Sequence, residues 1–420
     1  MMSTTEARNQ VATAFPSSFA AWRADQRRAL RLPVIAVAGT RGKSTVVRMV
    51  DHIFRSVGLR TCIWTDDGVE TNGELAAGEL APWAAAMRGL ASGDVDVAIQ
   101  ELDWQTVRAV GLPDGAFSLL AVTNLCGNSD ACLVHRDGQL ALGAYPSVLR
   151  SLAPEGRLVL NAEDYAVANP PEGHARSAVL VGHNRDAPIL RRHLDAGAIA
   201  AWVDGDLLTI GTGEVSERIL ATLDLDFALR GAASFEVVNA LIATALSLAG
   251  GLDGRQVAAA LATFGDANRL LPGSFNVFRA HDRLAVVERP LPSWFLRSVL
   301  RALTTRRRGR LIALLGGVSG GSSDDELIEV GRLIGRTTDA LVIPATGLLA
   351  GQLELIKLGV AHNDLPPVIF WTPSEWDGVQ RALRMARSED TMLFITDQPR
   401  PILDLLAADH WPSPDHALTT

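Results

Sequence analysis

Val34-Ile35-Ala36-Val37-Ala38-Gly39-Thr40-Arg41-Gly42-Lys43-Ser44-Thr45 is the stretch whose reading decides the fold. Its unbroken apolar run reads as a strand buried on both faces, the kind found inside a parallel sheet. Two glycines then interrupt it, and Val46, Val47, Met49, Val50, Ile53 and Phe54 follow at helical spacing. A strand, a glycine turn and a helix start make a cradle for phosphate. Gly39 and Gly42 let the backbone close in, and the first N–H groups of the helix have no partners within it. Thr40, Arg41 and Thr45 complete the loop. Lys43 adds a positive charge for the β- and γ-phosphates, and Ser44 offers a hydroxyl to Mg²⁺. Val37 stands where the strict Walker A motif has its first glycine, so the reading rests on the strand before the turn and the helix after it. Lysine usage supports it: the only lysines are Lys43 and Lys357, and arginine fills the other basic positions.

Around this loop the chain of 420 residues is 48% apolar, enough for two or three domains with sizeable cores. A net charge of −8 and a pI near 5.6 argue against nucleic acid as a partner. The one basic run, Arg306-Arg307-Arg308-Gly309-Arg310, reads as a solvated helix end. No apolar stretch reaches the roughly 20 residues that span a bilayer, and Met1–Pro16 lacks a signal pattern. Cys62, Cys126 and Cys132 form no CxxC pair, so no disulfide is expected and the compartment reads as cytoplasmic. His174, His183, His193 and His281 lack metal spacing and read as surface residues. The protein is expected to be a homo-oligomer without a membrane partner.

The chain alternates strand and helix throughout. Residues 17–30 predict a leading helix. The stretch Asp66-Asp67-Gly68-Val69-Glu70-Thr71-Asn72-Gly73 reads as a solvated acidic loop, with Mg²⁺ held through water as the functional alternative. Strands near Asp96–Glu101 and Ser118–Val122 end at Glu101 and at Thr123-Asn124. Ligands gather at the carboxyl ends of parallel strands, so these ends should share one crevice with Gly39, and Glu101 is the first metal candidate. Further strands are expected at Leu158–Leu160 and Ala178–Gly182, a hairpin at Ile199–Ile210, and helices at Phe235–Leu248 and Gly254–Phe264. After a break at Asp266–Gly273 the alternation restarts and runs to a frayed tail beyond Leu406. The expected division is therefore a helical lead-in over 1–32, a central P-loop parallel-sheet ATPase domain over 33–268, and a smaller Rossmann-like α/β domain over 269–420. Within the last, Gly316-Gly317-Val318-Ser319-Gly320-Gly321 follows a strand as a dinucleotide loop does, but no acidic residue ends the following strand at the right place.

The order of Gly39–Thr45, Thr123-Asn124, Asn161-Ala162-Glu163-Asp164, Asn239-Ala240-Leu241 and Pro272-Gly273 resembles the Mur ligase superfamily, and within it most nearly the Mur-ligase-like half of the cyanophycin synthetases. Leu152–Asn161, Pro272–Phe278 and Asp324–Arg332 carry the likeness further; it does not extend to the ATP-grasp half of those synthetases. The resemblance implies an ATP- and Mg²⁺-dependent ligase that phosphorylates a carboxylate and lets an amino acid or short peptide attack the acyl phosphate. It implies that Lys43 and Glu101 are catalytic, that Ser44 and Glu101 hold the metal, and that Asn124 and Asn239 contact the nucleotide. Several family motifs are altered. Asn128-Ser129 replaces Asp-His, no lysine lies near Pro146, Glu288-Arg289-Pro290-Leu291 opens the last domain, Gly320-Gly321-Ser322-Ser323 replaces Gly-Asp-Arg, and Glu236 replaces the first asparagine of the adenine motif. These losses imply, as an alternative, a catalytically degenerate relative that binds nucleotide and serves as partner or scaffold for another synthetase.

Overall fold

A computed structural model describes residues 14–78, 80–134, 136–169, 173, 177–267, 271–305, 307–408 and 411. They form two compact units, one running to Leu225 and adding Phe235–Ala267, the other made of Asp226–Ser234 and the chain beyond residue 267. The expected cut at 268/269 thus leaves out Asp226–Ser234, whose short turn Asp226–Ala228 packs with the second unit. The lead-in is no separate piece. Helix Phe19–Arg28 packs on the first unit through Phe19, whose ring meets Phe54 edge-on at 5.9 Å.

The first unit is built on β1 (Val34–Ala38), β2 (Thr61–Thr65), β3 (Gly68–Thr71), β4 (Glu74–Ala76), β5 (Val97–Leu102), β6 (Phe117–Val122), β7 (Leu152–Asn161), β8 (Val179–Asn184), β9 (Ile199–Asp204), β10 (Leu207–Gly211) and β11 (Ser216–Ala221). They form one sheet in the order β11-β10-β9-β8-β7-β6-β1-β5-β2-β3-β4. Strand β1 lies parallel between β5 and β6, and all its residues are buried. Val34, Ala36 and Ala38 pack against Ala86, Leu90, Val107 and Val148 of the helices on one face. Ile35 and Val37 alternate to the other face and are equally sealed. Each such side chain contributes about 1.5–3 kcal/mol by leaving water, so a polar residue here would unseat the strand that carries the loop.

The sheet departs from the expectation in two places. Residues 66–73 are not a solvated loop: β3 pairs antiparallel with β2 and β4 with β3. The acidic, glycine-rich composition hid a hairpin in which Val69 and Glu70 are both buried, on opposite faces of the strand. Strand β7 is longer than Leu158–Leu160 because its pairing with β6 skips from Leu152 to Arg157, so Ala153–Gly156 bulges. Pro154 and Gly156, which argue against a strand, sit in that bulge.

The second unit holds β12 (Asn276–Ala280), β13 (Arg283–Glu288), β14 (Leu311–Leu315), β15 (Ala340–Pro344), β16 (Val368–Thr372) and β17 (Thr391–Ile395) in the order β12-β13-β17-β14-β15-β16. All neighbours are parallel except β12 and β13, an antiparallel hairpin that turns at His281 and Asp282, both at positive φ. Beyond Leu406 the described residues are Ala407, Ala408 and Trp411. The Trp411 side chain is buried and its Nε1 donates to Leu406 O at 3.2 Å; residues 412–420 lie outside the described residues. No described helix is long and apolar enough to cross a membrane.

Candidate functional site

Strand β1 runs directly into the turn Gly39–Gly42. Gly39 has φ 148° and Gly42 φ 81°, both unfavourable for a side chain. Added Cβ atoms would also collide, that of Gly39 with Thr123 Oγ1 and that of Gly42 with Asn239 Oδ1 at 2.6 Å. The protein's own packing therefore demands both glycines.

The end of β6 braces the turn from behind. Thr40 N–H donates to Asn124 O at 3.0 Å, and Arg41 N–H to Asn124 Oδ1 at 3.1 Å. Asn124 Nδ2 and Thr123 Oγ1 both donate to Arg41 O, at 2.9 and 2.6 Å. Asn124, expected at the nucleotide, thus commits both ends of its amide to the loop backbone. Thr40 Oγ1 donates to Leu125 O and accepts from Trp104 Nε1 at 3.1 Å. Trp104 was not singled out from sequence, and Thr123 only as part of the strand end it shares with Asn124. The helix that follows, Lys43–Ser56, starts at Gly42 with no side-chain cap. Its first N–H groups lack intrahelical acceptors, and the helix dipole favours an anion there.

Three of the expected site residues meet at this helix start. The register of β1 and β5 sets Glu101 beside Val37, one step from the turn. Lys43 Nζ lies 3.1 Å from Glu101 Oε1, and Ser44 Oγ donates to Glu101 Oε2 at 2.7 Å. Burial raises the Glu101 pKa, opposed by the Lys43 charge and reinforced by that of Asp66. A hydroxyl and a carboxylate, with a second carboxylate's charge near, suit Mg²⁺, which binds few protein oxygens and keeps several waters. Thr45 is buried behind them.

Asp164 organises the adjoining turn. Its Oδ2 accepts N–H bonds from Leu125, Cys126 and Gly127 at 2.8, 3.0 and 2.8 Å, and its Oδ1 accepts from Ala166 N–H at 3.1 Å. Within this turn Cys126 and Cys132 form a disulfide, with Cα atoms 5.7 Å apart. The expectation of no disulfide fails because the turn at Gly127 and Asn128 folds two cysteines of unremarkable spacing onto each other. Asn128 has φ 64°. Its Nδ2 donates to Glu163 O at 2.6 Å and its Oδ1 accepts from Tyr165 N–H at 2.8 Å, so it ties two turns together. Pro146 sits inside helix Arg136–Arg150. Among the described residues no group of three or more His, Cys, Asp or Glu is placed to hold a metal.

Asn239, on helix Ser234–Ala249, turns its Oδ1 towards Gly42, while its Nδ2 donates to Glu236 Oε2 at 3.3 Å. Burial pushes the Glu236 pKa up to about 7 against that one hydrogen bond. The acidic hairpin contributes no exposed carboxylate at Glu70, which is buried in a two-pronged ion pair with Arg48. His193 is not a surface residue; it is buried, with Nε2 3.1 Å from Ala178 O and 3.0 Å from Ile199 O. His183 is half-buried, His281 is exposed, and His174 lies outside the described residues.

In the second unit the glycine turn after β14 faces carboxylates. A side chain at Gly316 would press on Glu375 Oε1, and one at Gly317 on Asp397 Oδ2. An anion is disfavoured there. Glu288 is buried at the end of β13. The basic run is neutralised locally: Arg307 pairs with Asp339 at 2.9 Å, Arg308 with Glu389 at 3.5 Å and Arg310 with Asp390 at 2.6 Å.

No family model matches the sequence. Cyanophycin synthetase from Nostoc sp. (strain PCC 7120 / SAG 25.82 / UTEX 2576) is 26% identical over 386 residues, covering 90% of this chain and 42% of that protein. The cyanophycin synthetase of Synechocystis sp. (strain ATCC 27184 / PCC 6803 / Kazusa) is 26% identical over 386 residues, 90% of this chain and 44% of that one. The chain therefore spans less than half the length of these relatives. Among solved structures, UDP-N-acetylmuramoylalanyl-D-glutamyl-2,6-diaminopimelate--D-alanyl-D-alanyl ligase from Acinetobacter baumannii superposes with a TM-score of 0.58 at 17% identity, over 93% of this chain and 77% of that one. MurF ligase from Thermotoga maritima in complex with ADP gives 0.57 at 12% identity, over 93% and 82%. The architecture is that of the Mur ligases. The chain is a Mur-ligase-like protein related to cyanophycin synthetase.

Proposed function

We propose that the chain is an ATP-dependent carboxylate–amine ligase of the Mur type that forms an amide or peptide bond through an acyl phosphate. The meeting of Lys43, Ser44 and Glu101 at an uncapped helix start carries the reading. The relatives are named as synthetases and ligases, and one structural neighbour holds ADP. The γ-phosphoryl group passes from ATP to a substrate carboxylate, releasing ADP. The amine nitrogen then attacks the acyl carbon, a C–N bond forms as the C–O bond to phosphate breaks, and the nitrogen gives up its proton to water. The helix N–H groups and the Lys43 ammonium hold the terminal phosphates and stabilise the charge that develops on them. Ser44 Oγ and the Glu101 carboxylate would hold Mg²⁺, which when bound neutralises the β- and γ-phosphate oxygens. Phosphate entering the loop takes over the Lys43 charge from Glu101 and frees that carboxylate for the metal. The acceptor is an amino acid or short peptide; the Glu375 and Asp397 carboxylates beside Gly316 and Gly317 favour a cationic amine over an anion.

One observation favours the second reading, a degenerate ligase that binds nucleotide for a partner synthetase. Asn128-Ser129 stands where the resemblance expects Asp-His, so the histidine metal ligand is replaced, and the Asn128 amide is engaged by Glu163 and Tyr165. ADP release measured with a panel of amino acids and short acidic peptides separates the two. Amine-dependent turnover abolished by Lys43→Ala ends the scaffold reading. Tight nucleotide binding with no turnover under any acceptor ends the ligase reading.

A further inference from the structure

Glu236 is the only ionisable side chain on helix Ser234–Ala249, and it is buried within the first unit. Its hydrogen-bonding partner is the Asn239 amide. Burial acts against its ionised form, and the Asn239 amide supports that form. The charged groups of the loop that Asn239 touches are Arg41 and Lys43, the latter paired with Glu101 of β5. A carboxylate only accepts, so an ionised Glu236 requires Nδ2 of Asn239 to face it. The amide oxygen is then left turned to Gly42, where an added Cβ would stand 2.6 Å from Oδ1. A protonated Glu236 donates through its O–H, and Oδ1 becomes its partner. The amide rotates by half a turn and presents Nδ2, a donor, to the same loop.

We propose that Glu236 is a positioning residue whose protonation state selects which atom of the Asn239 amide faces the phosphate loop, and thereby sets the affinity for nucleotide. The inference rests on the nucleotide site proposed above. An oxygen beside a bound phosphate repels it and an N–H attracts it, so the neutral form of Glu236 is the nucleotide-binding form. Binding therefore draws a proton onto Glu236, and affinity falls as pH rises through neutrality.

The test is calorimetric titration of the full chain with ADP and Mg²⁺ from pH 6 to 8.5, in buffers of differing ionisation enthalpy, for wild type, Glu236→Gln and Asn239→Ala. Wild type should lose affinity by up to about tenfold per pH unit above pH 7 and take up a proton on binding at pH 7.5. Glu236→Gln, whose amide offers both a donor and an acceptor, should hold its pH 6 affinity to pH 8.5 apart from the dependence the nucleotide and Glu101 bring to every variant. Asn239→Ala should bind more weakly and also lose the extra slope. The inference is overturned if either variant keeps the wild-type slope and proton uptake. If no protein binds nucleotide at any pH, the nucleotide site itself fails, an outcome distinct from a retained slope.

Discussion

Removing Glu70 is a sharp test of how the acidic hairpin is held. Its carboxylate grips the Arg48 guanidinium through two hydrogen bonds, with the side chains only 3% (Arg48) and 8% (Glu70) exposed. Arg48 lies on the helix that begins at the phosphate loop, and Glu70 stands opposite Ile63 on β3. Glu70→Ala leaves a guanidinium buried without a counter-charge, a situation that costs about 3–5 kcal/mol. Replacing both partners by apolar residues of similar volume, Arg48→Met with Glu70→Leu, should recover most of that loss, because such swaps are typically neutral or stabilising by about 1–4 kcal/mol. The assay is urea unfolding of wild type, Glu70→Ala, the single variants Arg48→Met and Glu70→Leu, and the double variant, followed by a probe in the first unit, the last three being read against wild type as a double-mutant cycle. Hydrogen exchange at Val69 and Glu70 should quicken in Glu70→Ala and not in the double variant. A loss of about 1 kcal/mol or less for Glu70→Ala, the range of an exposed pair, would refute the closed hairpin.

Glu236→Gln changes the pH dependence of stability. The folded-state pKa of Glu236 is raised from the ordinary 4.5 to about 7, so its contribution is fully present below the lower value and is lost as pH rises to the upper one. At roughly 1.4 kcal/mol per pH unit the loss is about 3 kcal/mol. The glutamine variant should match wild type at pH 4.5 and exceed it by about that amount at pH 8, which parallel denaturation curves will read. Asp164→Ala strips the acceptor from four backbone N–H groups and should cost about 4 kcal/mol or more, since each orphaned donor is worth about 1–3 kcal/mol. Asp164→Asn should cost less; equal melting temperatures for wild type and Asp164→Ala would contradict the assignment. Lys43→Ala should weaken nucleotide binding at least tenfold and reduce any turnover by about 10² or more, measured by ADP release.

The phosphate loop was legible because the residues that form it are contiguous. Gly39 to Thr45 declare strand, turn and helix start within one window, and the end of β5 follows from a short apolar run that stops at a carboxylate. The braces behind the loop are a different matter. Thr123, Asn124 and Trp104 reach it from distant segments, and no local pattern announces that an asparagine amide will grip a backbone rather than a ligand. The hairpin at 68–76 was hidden for a related reason. Aspartates and glycines read as solvent-exposed, and only the arginine on a helix some twenty residues upstream explains why Glu70 points inward. The pairing of Cys126 with Cys132 depends on a turn whose geometry Asp164 imposes from the turn that follows β7. Local composition identifies elements; it does not see what crosses between them.

The two borders of the larger sheet limit how copies of this protein meet at high concentration. At one end β4 offers only Glu74–Ala76, too short to template a neighbour, and at the other β11 carries Glu217 and Arg218 along its length. Both outermost strands belong to antiparallel ribbons, so the parallel interior never presents a bare flank. Fibril growth by strand recruitment at this sheet is thereby obstructed.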